Sequence, residues 1–281
     1  MTSTRPTTRP TTRPTTPAGP GRAAGAALVL WQATLHESGA ITLRALRVTM
    51  DVARGRVDGR ETLRLVDATL RDSLAVAVIG SVIIGGIVGL QGLSYLTRYN
   101  GTDAFGWAAG LSAFRDVGPL LLGFALAARA GTQNTAEVAM LAARERLDAL
   151  AALGLRPADV VTGPRILALI LASLLLYPFT AGIVLLCAFV FARALGDQSI
   201  SVSMWSAVTY LGPIVVVEGL LRMAAFGGII GLATTHAGLC LWQSGDRSAS
   251  GIGSAVYQGT VLSVCGIVVV NLLLAVFGGT G

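Results

Sequence analysis

The stretch SLAVAVIGSVIIGGIVGLQGLSYLT, residues 73–97, decides the fold because it contains no charged side chain from end to end. An α-helix needs about 20 mostly apolar residues to cross a hydrocarbon core of roughly 30 Å. Four further apolar segments of sufficient length follow, at approximately residues 107–133, 164–194, 204–236 and 255–278. The sequence therefore predicts five transmembrane helices.

The composition of the whole chain agrees with a membrane protein. Hydrophobic residues make up 53% and charged residues 13% of the 281 positions, whereas a soluble domain carries about 25% charged residues. The mean hydropathy is +0.69. The 35 glycines suit helices that pack through small residues, and no segment alternates as a transmembrane β-strand would. We therefore assign the chain to the all-α integral membrane proteins.

Two regions precede the first span. Residues 1–27 form a Thr/Arg/Pro-rich repeat that cannot bury a core and is predicted to be a disordered basic tail. Residues 28–72 carry apolar residues at helical spacing among arginines, a pattern typical of an amphipathic helix in the headgroup layer. The membrane domain then covers residues 73–281.

The positive charge is unevenly distributed along the chain. All 21 basic residues are arginine, the net charge is +6, and about half of the arginines precede residue 72. This placement indicates attraction to a membrane surface and no nucleic-acid partner. The connections 98–106 and 195–203 carry little arginine, whereas the N-terminal region and the connection 134–163 are rich in it. The positive-inside rule therefore places the N-terminus and residues 134–163 in the cytoplasm, and the C-terminus outside.

The connection between the second and third predicted spans contains MLAARERLDALAALGLRP, residues 140–157. Its leucines recur close to helical spacing, with charged residues between them. Two interpretations stay open. The helix either covers the membrane face or docks a soluble partner through an apolar ridge flanked by charges.

Ionisable side chains at membrane depth are costly and therefore mark candidate functional positions. Six fall within or at the ends of the predicted spans: Arg115, Asp116, Arg129, Glu137, Glu218 and Arg222. The first four are expected either at the interfaces or in a site. Glu218 and Arg222 are separated by four residues, so they are predicted to form a buried ion pair on one helix, or to line a polar headgroup cavity. His36 and His236, predicted to be interfacial, and the three cysteines show no metal-ligand spacing.

A set of short motifs, in this order and spacing, resembles the MlaE/YrbE family of ABC-transporter permeases, which work with MCE proteins in bacterial lipid transport. They are GLQG (89–92), RDVGP (115–119), AARAG (127–131), Glu137, ERLDAL (145–150), Gly154, Pro157 and GPR (163–165). Two places depart from the family pattern. The family has Gly-x-Met after the glutamate, whereas EVAML (137–141) has Ala139 and places Met140 one position early, and Ser250 stands where the family has an acid.

The resemblance implies a permease domain at residues 73–281 in the bacterial inner membrane, paired with an identical copy or a paralogue. It also implies two cytoplasmic ATPase subunits, which use ATP and Mg, and MCE-domain proteins outside that receive or deliver lipids. Residues 140–157 would be the coupling helix. Its ATPase contacts would come from five residues: Glu145, Leu147, Asp148, Ala149 and Leu150.

The chain itself is predicted to be no enzyme and to bind no cofactor. It has no lysine and therefore no phosphate-binding loop of the G-x-x-x-x-G-K-[ST] type, so ATP hydrolysis is expected in a separate subunit. The alternative function is an ion- or proton-coupled carrier without an ATPase, working through Glu137, Glu218 and Arg222.

Overall fold

The structure is a computed structural model that describes residues 59–196, 199–245 and 247–278. Every regular element within these ranges is helical. Five segments are long and apolar enough to cross a membrane: Gly59–Arg98, Thr102–Ala143, Val160–Ala194, Pro213–Ser244 and Ala249–Val276. The predicted all-α class and the predicted number of spans are confirmed.

Nine helices make up the described part of the chain. In order they are α1 (Gly59–Arg98), α2 (Phe105–Leu111), α3 (Val117–Leu126), α4 (Thr132–Ala143), α5 (Arg146–Ala152), α6 (Pro157–Gly196), α7 (Ile200–Tyr210), α8 (Pro213–Ser244) and α9 (Ala249–Gly278). The second span comprises α2, α3 and α4, which two π-helical turns join at Ser112–Asp116 and Ala127–Gly131. A 3-10 turn at Thr102–Ala104 precedes it.

Helix α1 runs without a break across the predicted boundary between residues 72 and 73. Its 40 residues are about 60 Å long at 1.5 Å per residue, roughly twice the hydrocarbon thickness. Near its start, exposed ion pairs join Arg64 to Glu61 at 3.7 Å and Arg71 to Asp67 at 2.8 Å. Residues 59–72 are therefore a polar extension of the first span. The tail and the rest of the region 28–72 lie outside the described residues, as does His36, so the interfacial helix stays a prediction.

The predicted bounds of the fourth span, 204–236, are wrong. Residues 204–210 belong to the separate helix α7, and the chain is extended at Leu211 and Gly212 before α8 begins at Pro213. Proline disfavours the helical conformation in the residue before it and suits the first position of a new helix. Pro213 therefore separates two helices that hydropathy alone had merged, and α8 continues to Ser244.

Close packing of α1 on α6 depends on two glycines that lie four residues apart on one face of α1. A Cβ at Gly85 would lie 2.5 Å from the carbonyl oxygen of Val184, and one at Gly89 would lie 2.6 Å from that of Ala188. No side chain fits at these distances, so the two backbones meet as in other membrane helix pairs that use small residues.

The centre of the bundle is apolar and joins α3, α6, α8 and α9. Its fully buried side chains include Leu126, Tyr177, Met223, Phe226 and Ile267. Large apolar side chains also cover the outside, among them Leu175, Leu221 and Leu272, each about 60% exposed. An apolar surface of this extent is what a lipid-facing helix bundle requires.

The two ends of the bundle differ in their side chains. The α5 end, where α5 connects α4 to α6, carries five arginines in or beside its connections: Arg60, Arg144, Arg146, Arg156 and Arg247. The α7 end carries exposed aromatic residues: Tyr95, Tyr99, Trp107 and Trp205. Arginines mark cytoplasmic loops and aromatic rings mark membrane interfaces. This distribution favours a cytoplasmic α5 end, which stays a prediction.

Candidate functional site

Four ionisable side chains of the second span and α8 meet towards the α7 end of the bundle, and we call them the Glu218 cluster: Arg115, Asp116, Glu218 and Arg222. Arg115 Nε lies 3.2 Å from Glu218 Oε2, and Arg222 Nη1 lies 3.5 Å from Asp116 Oδ1. Glu218 and Arg222 therefore do not pair with each other, and the predicted pair is wrong. Glu218 pairs instead with Arg115, and Arg222 pairs with Asp116. Both partners belong to the RDVGP motif, which α8 reaches because it packs directly on the second span.

The π-helical turn that presents Arg115 and Asp116 follows from Gly118 and Pro119. Proline has no N–H and its ring crowds the carbonyl four residues earlier, so Pro119 cannot make the regular helical hydrogen bond to Arg115. A Cβ at Gly118 would collide with the carbonyl oxygen of Ala113. Only glycine tolerates the wider turn at this point, and such turns are frequent at functional sites.

A buried hydrogen bond fixes the same turn against α6 and α8. The hydroxyl of Tyr177, a fully buried residue, donates to the carbonyl oxygen of Phe114 at 2.6 Å. A Cβ at Gly219 would collide with both of these oxygens. The absence of a side chain at Gly219 therefore lets α8 approach close enough for Glu218 to reach Arg115.

The Glu218 cluster lies within the apolar length of its helices. Asp116 is about 20 Å along the second span from Thr102, and Glu218 is about 8 Å from the start of α8, at 1.5 Å per residue. The Arg222 side chain is only 6% exposed, and its Nη1 also lies 3.4 Å from Asn271 Oδ1 of α9. The cluster therefore links three spans through charged and polar side chains.

A second polar group, the Glu137 cluster, lies nearer the α5 end and contains Asn134, Glu137, Arg165 and Thr234. Arg165 Nη1 donates to Asn134 Oδ1 at 2.6 Å and to Glu137 Oε2 at 2.9 Å, and Asn134 Nδ2 donates to Thr234 Oγ1 at 2.7 Å. It joins α4, α6 and α8. Arg129, also predicted as a site residue, lies apart and donates at 3.4 Å to the carbonyl oxygen of Asp72.

A third group, the Asp148 cluster, joins α5 to the end of α8 and contains Glu145, Asp148, Trp242 and Arg247. Asp148 Oδ1 accepts a hydrogen bond from Trp242 Nε1, and Asp148 Oδ2 accepts one from Arg247 Nη2, both at 2.8 Å. Arg247 Nη1 also lies 3.3 Å from Glu145 Oε1. The two acids predicted to meet a partner are therefore turned towards the chain's own α8–α9 connection.

The leucines of α5 divide between the bundle and the surface. Leu147 is fully buried against Val138, Ala142 and Leu239, and Leu150 is half-buried beside them. Leu147 is therefore not available to anchor in a partner's groove. The exposed apolar residues are Leu153, at 76% exposure, and Leu155, at 49%, with Ala149 exposed beside them.

The predicted helix over residues 140–157 is wrong in its bounds, because residues 140–143 belong to α4 and α5 covers only Arg146–Ala152. A glycine-terminated turn ends α5. The N–H of Leu155 donates to the carbonyl of Leu150, and that of Gly154 donates to the carbonyl of Ala151. This pattern requires a left-handed residue after the helix, and Gly154 has φ of 75°. Gly154 and Pro157 therefore set where α5 ends and α6 begins, and they leave Leu153 and Leu155 on the surface.

Several residues of these clusters escaped the sequence analysis as site residues. Three of them stand in apolar runs, namely Tyr177, Trp242 and Asn271. No local pattern distinguishes these residues from core residues. Arg165 belonged to a recognised motif, which was a usable signal. His236, predicted to be interfacial, is buried in α8. Within the described ranges no group of three or more His, Cys, Asp or Glu could hold a metal ion.

Comparison with known proteins identifies relatives over most of the chain. The family model described as "Permease MlaE" matches residues 62–277. The chain is 27% identical over 240 residues to the chloroplastic protein TRIGALACTOSYLDIACYLGLYCEROL 1 of Arabidopsis thaliana, covering 84% of this chain and 67% of that protein. It is 28% identical over 202 residues to a probable ABC transporter permease protein of Rickettsia prowazekii, covering 72% of this chain and 76% of that protein.

A shorter match connects the chain to a protein whose name specifies its cargo. Over 93 residues it is 32% identical to the intermembrane phospholipid transport system permease protein MlaE of Haemophilus influenzae, covering 33% of this chain and 36% of that protein.

Proposed function

The chain belongs to the MlaE permease family, and we propose that it is the transmembrane subunit of an ATP-driven ABC transporter that moves lipids between the bacterial inner membrane and a tunnel of MCE-domain proteins. The family model covers nearly all of the described residues, and relatives are named as ABC transporter permeases. The phospholipid transport named for the Haemophilus influenzae relative supports a lipid as cargo.

In this proposal the α5 end is cytoplasmic and α5 is the coupling helix, to which an ATPase subunit binds. The observation that carries this assignment is the division of the α5 side chains. Leu147 and Asp148 attach the helix firmly to α4 and α8, while Leu153 and Leu155 stay exposed. A partner groove would therefore be filled by the C-terminal part of α5 and the turn after it, with Ala149 at its edge. Glu145 and Leu150 would contribute less than the sequence pattern suggested.

Helix α8 supplies a physical connection between the ATPase and the membrane interior. One end of it is bonded to α5 through Trp242, and its middle is bonded to α4 through Thr234. Near its other end it carries Glu218 and Arg222, which are bonded to the second span. A displacement of α5 would therefore be transmitted along α8 to charged groups at membrane depth, where a lipid headgroup would be accommodated.

The remaining partners follow from family membership and are part of the proposal. A second permease, identical or a paralogue, would complete the transmembrane unit, and MCE-domain proteins would bind at the α7 end. ATP and Mg would be used by the ATPase, since this chain has no lysine for a phosphate-binding loop. The alternative of an ion- or proton-coupled carrier gains no support from the contacts, because Glu137 and Glu218 are both engaged by arginines.

The coupling-helix assignment is tested by replacing Leu153 with aspartate in the complex with the ATPase. Loss of an apolar anchor at an interface costs about 2 kcal/mol or more, roughly a thirtyfold loss of affinity. We expect Leu153→Asp to reduce co-purification of the ATPase while the permease still inserts. Leu63→Asp is the matched control, because Leu63 is 66% exposed on the polar extension of α1 at the same end. Equal co-purification in both variants would refute the assignment of α5.

A further inference from the structure

A groove lies between the start of α1 and the junction of α4, α5 and α6, apart from the contacts proposed for coupling. Its volume is about 340 Å³. Leu65 and Ala68 of α1 form one apolar wall, and Met140 and Leu141 of α4 form the other. The groove opens at the surface of the bundle, since Met140 is 41% exposed and Arg144 and Arg146 are exposed beside it.

Charged side chains surround these apolar walls, and most of them are cations. They are Arg64, Arg144, Arg146 and Arg165, against Glu61 and Glu137. Arg165 is bonded to Glu137, and Arg64 lies 3.7 Å from Glu61. Arg144 and Arg146 are exposed and make no ion pair with any residue in the described ranges. The groove therefore has an excess of two positive charges, which favours an anionic ligand.

The inner end of the groove limits how far a ligand can enter. At Arg165 and Glu137 the groove adjoins a smaller cavity of about 30 Å³, which Asn134 and Gln133 also line. That volume holds about one water molecule. A headgroup that entered would stop at the Arg165 guanidinium, so this groove suits a bound lipid that stays in place and not a route through the bundle.

The proposed orientation would place the groove near the boundary between headgroups and acyl chains. Helix α4 ends at Ala143, and Glu137 lies about 9 Å inside that end at 1.5 Å per residue. In the proposed orientation Arg144 and Arg146 would lie at headgroup level, and Leu65, on the polar extension of α1, would face Leu141 at the level where the glycerol and upper acyl carbons of a lipid begin. Basic pockets between transmembrane helices on the cytoplasmic side are known to take anionic lipid headgroups.

We propose that this groove binds the headgroup of an anionic phospholipid as a resident ligand, with the phosphate on Arg144 and Arg146 and the upper acyl chain on Leu65 and Leu141. The inference rests on the proposed orientation only for the leaflet that supplies the lipid, which is the cytoplasmic one. Binding would tie α1 to the α4–α5 junction and so steady α5 for its partner.

The test uses the purified full chain in a neutral detergent, without ATPase or ATP, titrated with short-chain phosphatidylglycerol or phosphatidylcholine and followed by native mass spectrometry. We expect phosphatidylglycerol to bind more tightly. The variant Arg144→Gln with Arg146→Gln should weaken that binding about 25-fold, since each basic residue near an anionic lipid contributes about fivefold. Because no ATPase is present, the outcome is independent of the proposed transport function.

The matched control is Arg98→Gln with Arg156→Gln, which removes the same charge from two exposed arginines outside the groove. It should bind phosphatidylglycerol as the unmodified chain does. Equal loss in both double variants, or equal binding of the two lipids, would overturn the proposal. Glycerol phosphate, which lacks acyl chains, should bind weakly; binding as tight as that of phosphatidylglycerol would show that the apolar walls are not used and would also overturn it.

Discussion

The Glu218 cluster and the Asp148 cluster lie towards opposite ends of α8 and use the same chemistry, arginine against carboxylate across two helices. Their surroundings differ. The charged side chains of the Glu218 cluster range from 6% exposed at Arg222 to 60% at Asp116, whereas those of the Asp148 cluster are all 45–67% exposed. Identical groups therefore have different energetic roles at the two ends.

Solvent exposure explains that difference. A charge left unpaired at membrane depth has no water to replace its partner, so breaking a pair there is costly. Exposed ion pairs contribute about 0–1 kcal/mol, because water screens them. The Glu218 cluster is therefore expected to hold the spans together. The Asp148 cluster is expected to set the position of α5, with Leu147 supplying most of the stability.

The largest expected effect comes from the close approach beside the Glu218 cluster. Gly219→Ala would place a methyl group against the Tyr177 hydroxyl and the Phe114 carbonyl, which adds overpacking to a lost buried hydrogen bond. We expect a loss of about 3–5 kcal/mol in the free energy of unfolding. Gly228→Ala on the same helix is the control, because the atom nearest to its Cβ is Ile170 Cδ1 at 3.7 Å.

Alanine is a better helix former than glycine by up to about 1 kcal/mol, so Gly228→Ala should leave the thermal midpoint of the detergent-solubilised chain unchanged or raise it. Similar midpoints for Gly219→Ala and Gly228→Ala would mean that α8 does not approach the second span as closely as described.

A double-mutant cycle tests whether Arg115 or Arg222 is the partner of Glu218. Glu218→Ala should destabilise the chain more than the combination of Glu218→Ala with Arg115→Ala, because the single change leaves the Arg115 cation without that carboxylate. We expect a coupling free energy of about 1–3 kcal/mol for this pair. The same cycle with Arg222→Ala should give a smaller value. A larger coupling to Arg222 would restore the pairing along α8 that the sequence suggested.

The smallest effect on stability is expected at the Asp148 cluster. Trp242→Phe removes the N–H that donates to Asp148 but keeps the ring beside Leu239, so the loss should be about 1 kcal/mol. Trp205→Phe, at a 74% exposed position on α7, is the control. In the complex with its ATPase, Trp242→Phe should nevertheless reduce lipid-stimulated ATP turnover, which Trp205→Phe should not. If Trp242→Phe lowered the stability as much as Gly219→Ala does, the two clusters would not differ in their energetic roles.

The two clusters also show which features of the structure can be predicted from the sequence. Periodicity and apolar length predict the five spans, because these signals act within a few residues. The partners of Glu218 and Asp148 lie about a hundred positions away in the chain and depend on which helices pack together. Local spacing could offer only Arg222 for Glu218 and an outside partner for Asp148.

The break before α8 is a different kind of error. Gly212 and Pro213 were visible in the sequence, and their effect on a helix is local. The apolar residues on both sides hid it, because α7 exposes Met204, Trp205 and Val208 and therefore has the hydropathy of a span. Hydropathy reports composition, whereas the helix boundary depends on backbone geometry.

We propose that this permease moves lipid at the expense of ATP hydrolysed by a partner. The most direct measurement is transfer of a fluorescent phospholipid between proteoliposomes that contain the permease with its ATPase and acceptor vesicles that carry the MCE partner, with and without ATP and with and without an imposed proton gradient. We expect transfer that requires both ATP and the ATPase and does not depend on the gradient. Transfer by the permease alone, driven by the gradient and unaffected by ATP, would contradict it.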